Sequence, residues 1–402
     1  MRTPVGIASF VLLGVSVLGS APQNPAPAAV PVTRQDASRA AAASFVDVIV
    51  GFTATDGTPL EAKLSVPTDA KGPVPVVFHL HGAGPMNYDT GVQYKDADGQ
   101  VRTDRYYDFY ARELASRGLA FFRMNKRGCS SDATGRRVVD RSVFSKATPT
   151  VLLDDYAKAL DALRGRKEID ARRIVLSASS EGTRLAPQLA LRSPNGIVGI
   201  VLKSYQADNP HDTVVWQNSV GPWRNVQKLV PAAADGTLTR AEYDSAVKAD
   251  ATLAARLPFG TLDADGDGVV DAAEMARVVR PRLDAILKAV EERNDDFMWQ
   301  AMANLTSAYL LDGWDGEPTS AMLLKLHVPI GIFHGEVDGT TRVEGVRETE
   351  AAFKAAKRTN LTVHTYPGHG HDLNWTPKTS GNGGPVPFQD AFAFAADLVR
   401  PR

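Results

Sequence analysis

From residue 45 onward the chain alternates short apolar runs with polar breaks. Runs at 46–53, 60–66 and 74–80 read as three strands, the first two joined by an Asp56-Gly57 turn. Helical spacing over 107–117 leads to an apolar strand at 119–124, and a second helical stretch at 151–163 leads to a strand opening with Ile174-Val175-Leu176. Further strands are expected at 197–203, 328–334 and 361–366. Strands that are apolar on both faces and alternate with helices belong to a mostly parallel sheet flanked by helices, so the fold class is α/β.

Between 205 and about 324 this alternation stops. No strand is legible there, while 241–255 and 283–293 read as helices, the second starting beyond Pro281, which should cut the preceding helical stretch short. The segment is expected to be an insertion, with the core divided into 41–204 and 323–402 around a helical lid at 205–322. Four of the five tryptophans fall in it: Trp216, Trp223, Trp299 and Trp314. They could wall an apolar pocket, although packing within the insertion accounts for any one of them alone.

Composition narrows the partners. A chain that is 44% hydrophobic and 23% charged, with a net charge of -1, is globular and offers no basic face large enough for nucleic acid or an anionic membrane; a small or neutral partner is expected. Met1-Arg2, an uncharged apolar run to Gly19 and then Ser20-Ala21-Pro22 have the layout of a signal peptide at 1–20. Residues 21–40 form an Ala- and Pro-rich lead. The apolar run is short for a bilayer span, which needs about 20 residues, so a secreted or periplasmic protein with no stable membrane span after signal removal is expected. Its one cysteine, Cys129, excludes an internal disulfide and reads as a small buried loop residue.

Two motifs carry chemistry. Ala178-Ser179-Ser180-Glu181-Gly182 follows a strand and precedes a helix, with small residues two before and two after Ser180, as a tight strand-to-helix turn requires. A serine hydroxyl is a weak nucleophile until a base takes its proton and an acid holds that base. Candidates lie just past other strand ends: Gly335-Glu336-Val337-Asp338-Gly339 supplies Asp338 with Glu336 as rival, and Gly368-His369-Gly370-His371-Asp372 supplies His371 with His369 as rival. His81-Gly82-Ala83-Gly84 suits a loop whose Ala83 amide joins that of Glu181 as an oxyanion hole.

The second motif is a twelve-residue calcium loop. Asp263, Asp265, Asp267, the Val269 carbonyl, Asp271 and Glu274 occupy positions 1, 3, 5, 7, 9 and 12, with Gly268 at the turn. A degenerate partner at 231–242 has Pro231 and Ala233 where carboxylates belong, yet Leu238 is placed to pair with Val270. The stretch 222–282 is therefore expected to be an EF-hand-like pair with one live Ca2+ site of structural use.

In its order of motifs the chain resembles the α/β-hydrolase superfamily, in particular its esterase, dienelactone-hydrolase and serine-aminopeptidase-like branches, over about 45–204 and 323–402. The segment Asn125-Lys126-Arg127-Gly128 resembles that family's Asp-x-Arg-Gly loop. The resemblance implies Ser180 as nucleophile, His371 as base and Asp338 as its orienting acid, acting on a small ester or acyl substrate with no cofactor in catalysis. A thioesterase or peptidase would use the same three groups, and a calcium-dependent binding protein on an inactive scaffold is the alternative from another class.

Overall fold

The computed structural model describes residues 44–400 apart from 97 and 382. The expected signal segment and the Ala/Pro-rich lead lie outside the described residues. Eight strands form the main sheet: β1 (Phe45–Thr53), β2 (Pro59–Pro67), β3 (Val74–Leu80), β4 (Ala120–Met124), β5 (Ile169–Ser179), β6 (Ile197–Lys203), β7 (Ile330–Gly335) and β8 (Leu361–Tyr366). Their spatial order is β1-β2-β4-β3-β5-β6-β7-β8, and only β2 runs against its neighbours. This is the α/β-hydrolase fold.

The central strands are buried on both faces, which is why they read as unbroken apolar runs: every residue of β4 is buried, as is every residue of β3 after Val74. Phe78 and Phe122 pack at a ring separation of 5.1 Å on one face of the sheet, and Phe121 stacks on Tyr110 on the other. Each fully buried phenylalanine contributes about 1.5–3 kcal/mol relative to exposure. The helices covering the sheet are α1 (Tyr106–Ala115), α2 (Pro149–Arg164) and α3 (Gly182–Arg192), then α7 (Val343–Ala355) and α8 (Val386–Leu398) after the insertion. The start of α2 is fixed locally: Pro149 opens it and the Thr148 hydroxyl accepts the Val151 amide.

No strand of the main sheet falls between β6 and β7. This stretch holds three longer helices, α4 (Gly221–Leu229), α5 (Arg240–Ala249) and α6 (Ala272–Glu291), with a two-stranded ribbon of its own. Its strands, Thr237–Thr239 and Val269–Asp271, pair antiparallel with Leu238 opposite Val270. Trp223, Val226, Leu238, Phe259, Val270 and Met275 close a separate apolar cluster around that ribbon. Pro281 does not cut the exiting helix short: α6 runs through it for 20 residues. Met275 and Val279 before the proline, and Leu283, Ile286 and Val290 after it, are buried along one side, so packing outweighs the lost backbone hydrogen bond. Two further hairpins, Gly91–Lys95 with Val101–Arg105 and Cys129–Ser131 with Arg137–Val139, flank the sheet. Cys129 is a free thiol, half-buried in the second of them.

Candidate active site

The carboxyl ends of β3, β5, β7 and β8 bring the sequence candidates into one region. Ser180 sits on the turn between β5 and α3 with φ 54°, a left-handed conformation for a non-glycine residue. Such strain persists only where neighbours hold it. Here the Ser180 amide donates to the Lys203 carbonyl at the end of β6 (3.1 Å), and the Thr183 amide and hydroxyl donate to the Ser180 carbonyl (2.9 and 2.6 Å). Glycine at 182 is a steric requirement, since a Cβ there would lie 2.4 Å from the Leu80 carbonyl oxygen.

His371 and Asp338 form a direct pair: His371 Nδ1 donates to Asp338 Oδ2 at 2.8 Å. Asp338 is buried, and its other hydrogen bonds come from the amides of Thr340 (2.7 Å) and Thr341 (3.0 Å) and the Thr341 hydroxyl (2.8 Å). Burial alone would raise its pKa, but the His371 charge and hydrogen bond, with these amides, outweigh burial and hold it well below the usual carboxylate range. For His371 burial pushes down, the Asp338 charge and hydrogen bond push up, and the net result lies above the ordinary 6.5. The Ser204 hydroxyl anchors the His371 carbonyl at 2.5 Å, which ties the histidine loop to the end of β6 beside Ser180.

The rivals are placed elsewhere. Glu336 accepts from the Thr365 hydroxyl at 2.7 Å, and the half-buried His369 turns Nδ1 to the Pro367 carbonyl at 2.9 Å. Among the described residues Ser180 Oγ and His371 form no hydrogen bond with each other, so the structure joins base to acid without closing the link to the serine. Catalytic hydrogen bonds are often loose without substrate.

The Ala83 and Glu181 amides donate to no protein acceptor among the described residues. Gly82 is pressed against the elbow, where a Cβ on it would meet Ser180 Cβ at 3.1 Å, so the loop after β3 lies on the nucleophile turn. A group that sequence reasoning passes over sits behind this loop. Lys126, fully buried, donates from Nζ to the Gly82 carbonyl at 2.6 Å and lies 3.7 Å from Glu181 Oε2. The Tyr309 hydroxyl, from the insertion, hydrogen-bonds the same Glu181 oxygen. The one signal in the sequence is a lysine placed just after an apolar strand end.

The insertion covers the acid and base loops. Gly221, opening α4, packs on Gly339, where a Cβ on Gly339 would meet the Gly221 carbonyl at 2.4 Å. Lys228 on α4 pairs with Asp372 at 2.7 Å, next to His371. Of the insertion's tryptophans, Trp223 is buried in the ribbon's own cluster, Trp299 packs edge-on against Phe144 and Trp314 against His211.

In the calcium motif, ligand atoms of Asp263, Asp265 and Asp267 lie within 4.8 Å of one another. Asp263 Oδ1 is buried with no hydrogen-bond partner, which suits a cation. Val269 lies in the ribbon. Asp271 and Glu274 cap α6 reciprocally, and Glu274, buried, also accepts the Ala264 (2.8 Å) and Asp265 (3.3 Å) amides, so these two stand outside the aspartate trio.

No protein-family model matches the chain, and no curated protein sequence matches it. Among solved structures it is similar to a Bacteroides ovatus protein named as a dipeptidyl aminopeptidase IV (TM-score 0.47, 15% identity, 89% of this chain and 36% of that one). Others are Porphyromonas gingivalis dipeptidyl peptidase 4 (0.46, 13%, 88% and 35%) and a lipase in an open form (0.46, 17%, 89% and 100%). The chain thus spans about a third of the length of the two peptidases.

Proposed function

We propose that the protein is a serine hydrolase that cleaves carboxylic esters through an acyl-enzyme. The observation that carries this reading is the bond from half-buried His371 to buried Asp338, at the same sheet end as a serine held at positive φ on a strand-to-helix turn. In that reading Ser180 Oγ attacks the acyl carbonyl while His371 Nε2 takes its proton. Asp338 fixes the imidazole tautomer and stabilises the imidazolium, and the Ala83 and Glu181 amides receive the developing oxyanion. His371 then returns the proton to the leaving alkoxide, and water releases the acyl group by the reverse sequence. Thioester cleavage would run through the same steps. Hydrolysis of short p-nitrophenyl esters by wild type, lost by roughly 10³-fold or more in Ser180→Ala, is the expected result; full activity in Ser180→Ala would remove the proposal.

We also propose that the loop at 263–274 binds Ca2+, with export as the setting in which calcium is plentiful. Asp263, Asp265 and Asp267 would hold the ion, with the Val269 carbonyl, Asp271 and Glu274 as the remaining positions of the motif. The ion would supply charge neutralisation and a cross-link between the loop and α6, apart from the chemistry at Ser180. The unpartnered Asp263 Oδ1 favours this over a solvated acidic turn.

A further inference from the structure

Hydrolysis by Ser180, His371 and Asp338 leaves Lys126 without a task, although it places a fully buried ammonium at the rim of the nucleophile turn: its side chain is 0% exposed. Burial pushes its pKa down, and Glu181 opposes that shift. Placing a charge there is costly unless it is paired and hydrogen-bonded, and a methionine of similar shape would pack without that cost. Its contacts explain the choice. The Lys126 amide donates to the Met86 carbonyl (2.9 Å) and its Nζ to the Gly82 carbonyl (2.6 Å), so one residue grips the loop after β3 at both ends.

The Gly82 carbonyl and the Ala83 amide belong to the same planar peptide and point in opposite directions. A cation that holds the carbonyl therefore aims the Ala83 N–H away from Lys126. That amide meets no protein acceptor among the described residues. A charge-assisted bond to the carbonyl also polarises the peptide, which makes the N–H a stronger donor. The other partner of the ammonium, Glu181, follows the nucleophile directly, and its carboxylate is steadied by Tyr309 of the insertion.

We propose that Lys126 is a positioning residue for the oxyanion hole: by holding the Gly82 carbonyl it sets the direction and strength of the Ala83 amide, and through Glu181 it keeps the second amide in register. The inference rests on the serine-hydrolase reading. It requires no contact between Lys126 and substrate, so its effect belongs to the transition state. Substrate binding should be nearly indifferent to it.

The test compares wild type, Ser180→Ala, Lys126→Met and Lys126→Gln on a p-nitrophenyl ester, with inhibition by an aryl trifluoromethyl ketone, whose adduct carries an oxyanion. In Lys126→Met, kcat should fall about 10²-fold, the scale of losing one oxyanion donor, with KM changed less than about threefold. Ketone affinity should fall in parallel with kcat/KM, and the acid limb of the pH profile, set by His371, should stay in place. Lys126→Gln, which keeps a donor but no charge, should lose a smaller part of the same quantities. A folded Lys126→Met or Lys126→Gln with unchanged kcat and ketone affinity overturns the proposal, as does a loss carried wholly by KM. Activity surviving in Ser180→Ala would instead overturn the nucleophile assignment, whatever the lysine variants do. If Lys126→Met does not fold, its circular dichroism shows this and Lys126→Gln decides alone.

Discussion

At the scale of single residues, the base and its acid make the sharpest prediction. His371 must be neutral to accept the Ser180 proton, and its pKa is raised above 6.5 by Asp338. Activity should therefore be full above that raised pKa and fall as the pH drops through it, giving an acid limb in kcat/KM with a midpoint above 6.5. Asp338→Asn removes the charge that raises the pKa, so the limb should move to lower pH. It also releases the tautomer, so kcat should fall on the order of 10³–10⁴-fold. A pH–rate profile of both proteins checks the two effects together, and an unchanged limb in Asp338→Asn would contradict the pairing. Gly182 is the second residue-scale test. The Leu80 and His81 carbonyl oxygens leave no room for a Cβ, at 2.4 and 2.6 Å, so Gly182→Ala should lose roughly 1–3 kcal/mol in denaturant unfolding along with most activity.

Among elements, the insertion is where sequence and structure diverge most, and the reasons are physical. The pairing of Leu238 with Val270 and the gathering of Asp263, Asp265 and Asp267 are legible because ribbon register and residue spacing in a short loop are local patterns. The course of α6 through Pro281 is not, because it depends on Leu283, Ile286 and Val290 finding partners far away in sequence. Tyr309 and Lys126 are illegible for the same reason: nothing local says that a tyrosine of the insertion and a lysine beyond β4 meet on Glu181. The short hairpins at 91–105 and 129–139 also escape the sequence reading, since none of their strand residues is fully buried and they lack the apolar alternation that marks a sheet. If the aspartate trio holds Ca2+, adding calcium at about 100 times its Kd should stabilise the native state by about 2.7 kcal/mol, raising Tm by roughly 3–4 °C for a chain of this size. Chelation should reverse the shift and Asp265→Ala should abolish it in a thermal melt, with ester hydrolysis below the melt little changed. A Tm indifferent to calcium in wild type would remove the metal site.

For the molecule as a whole, the sheet and the placement of the candidate residues at its strand ends are readable because buried parallel strands leave continuous apolar runs, and Ser180, Asp338 and His371 follow those runs directly. What the runs do not give is orientation. Asp338, and not Glu336, makes a 2.8 Å bond to His371 and receives the amides of the following turn. His371 is set apart from His369 by that same bond and by the Ser204 anchor. The insertion then seats α4 on both loops through Gly221 and Lys228, so the cover and the site form one unit.

The central claim, that Ser180 is an activated nucleophile, is tested most directly by treating the protein with a fluorophosphonate probe, with and without calcium, and mapping the modified residue by mass spectrometry. A single adduct on Ser180, formed in both conditions and absent from Asp338→Asn on the same timescale, is the predicted result. No adduct, or one on Ser179 in place of Ser180, would contradict the nucleophile assignment, and no adduct in either condition would leave a calcium-dependent binding protein on a hydrolase fold as the better reading.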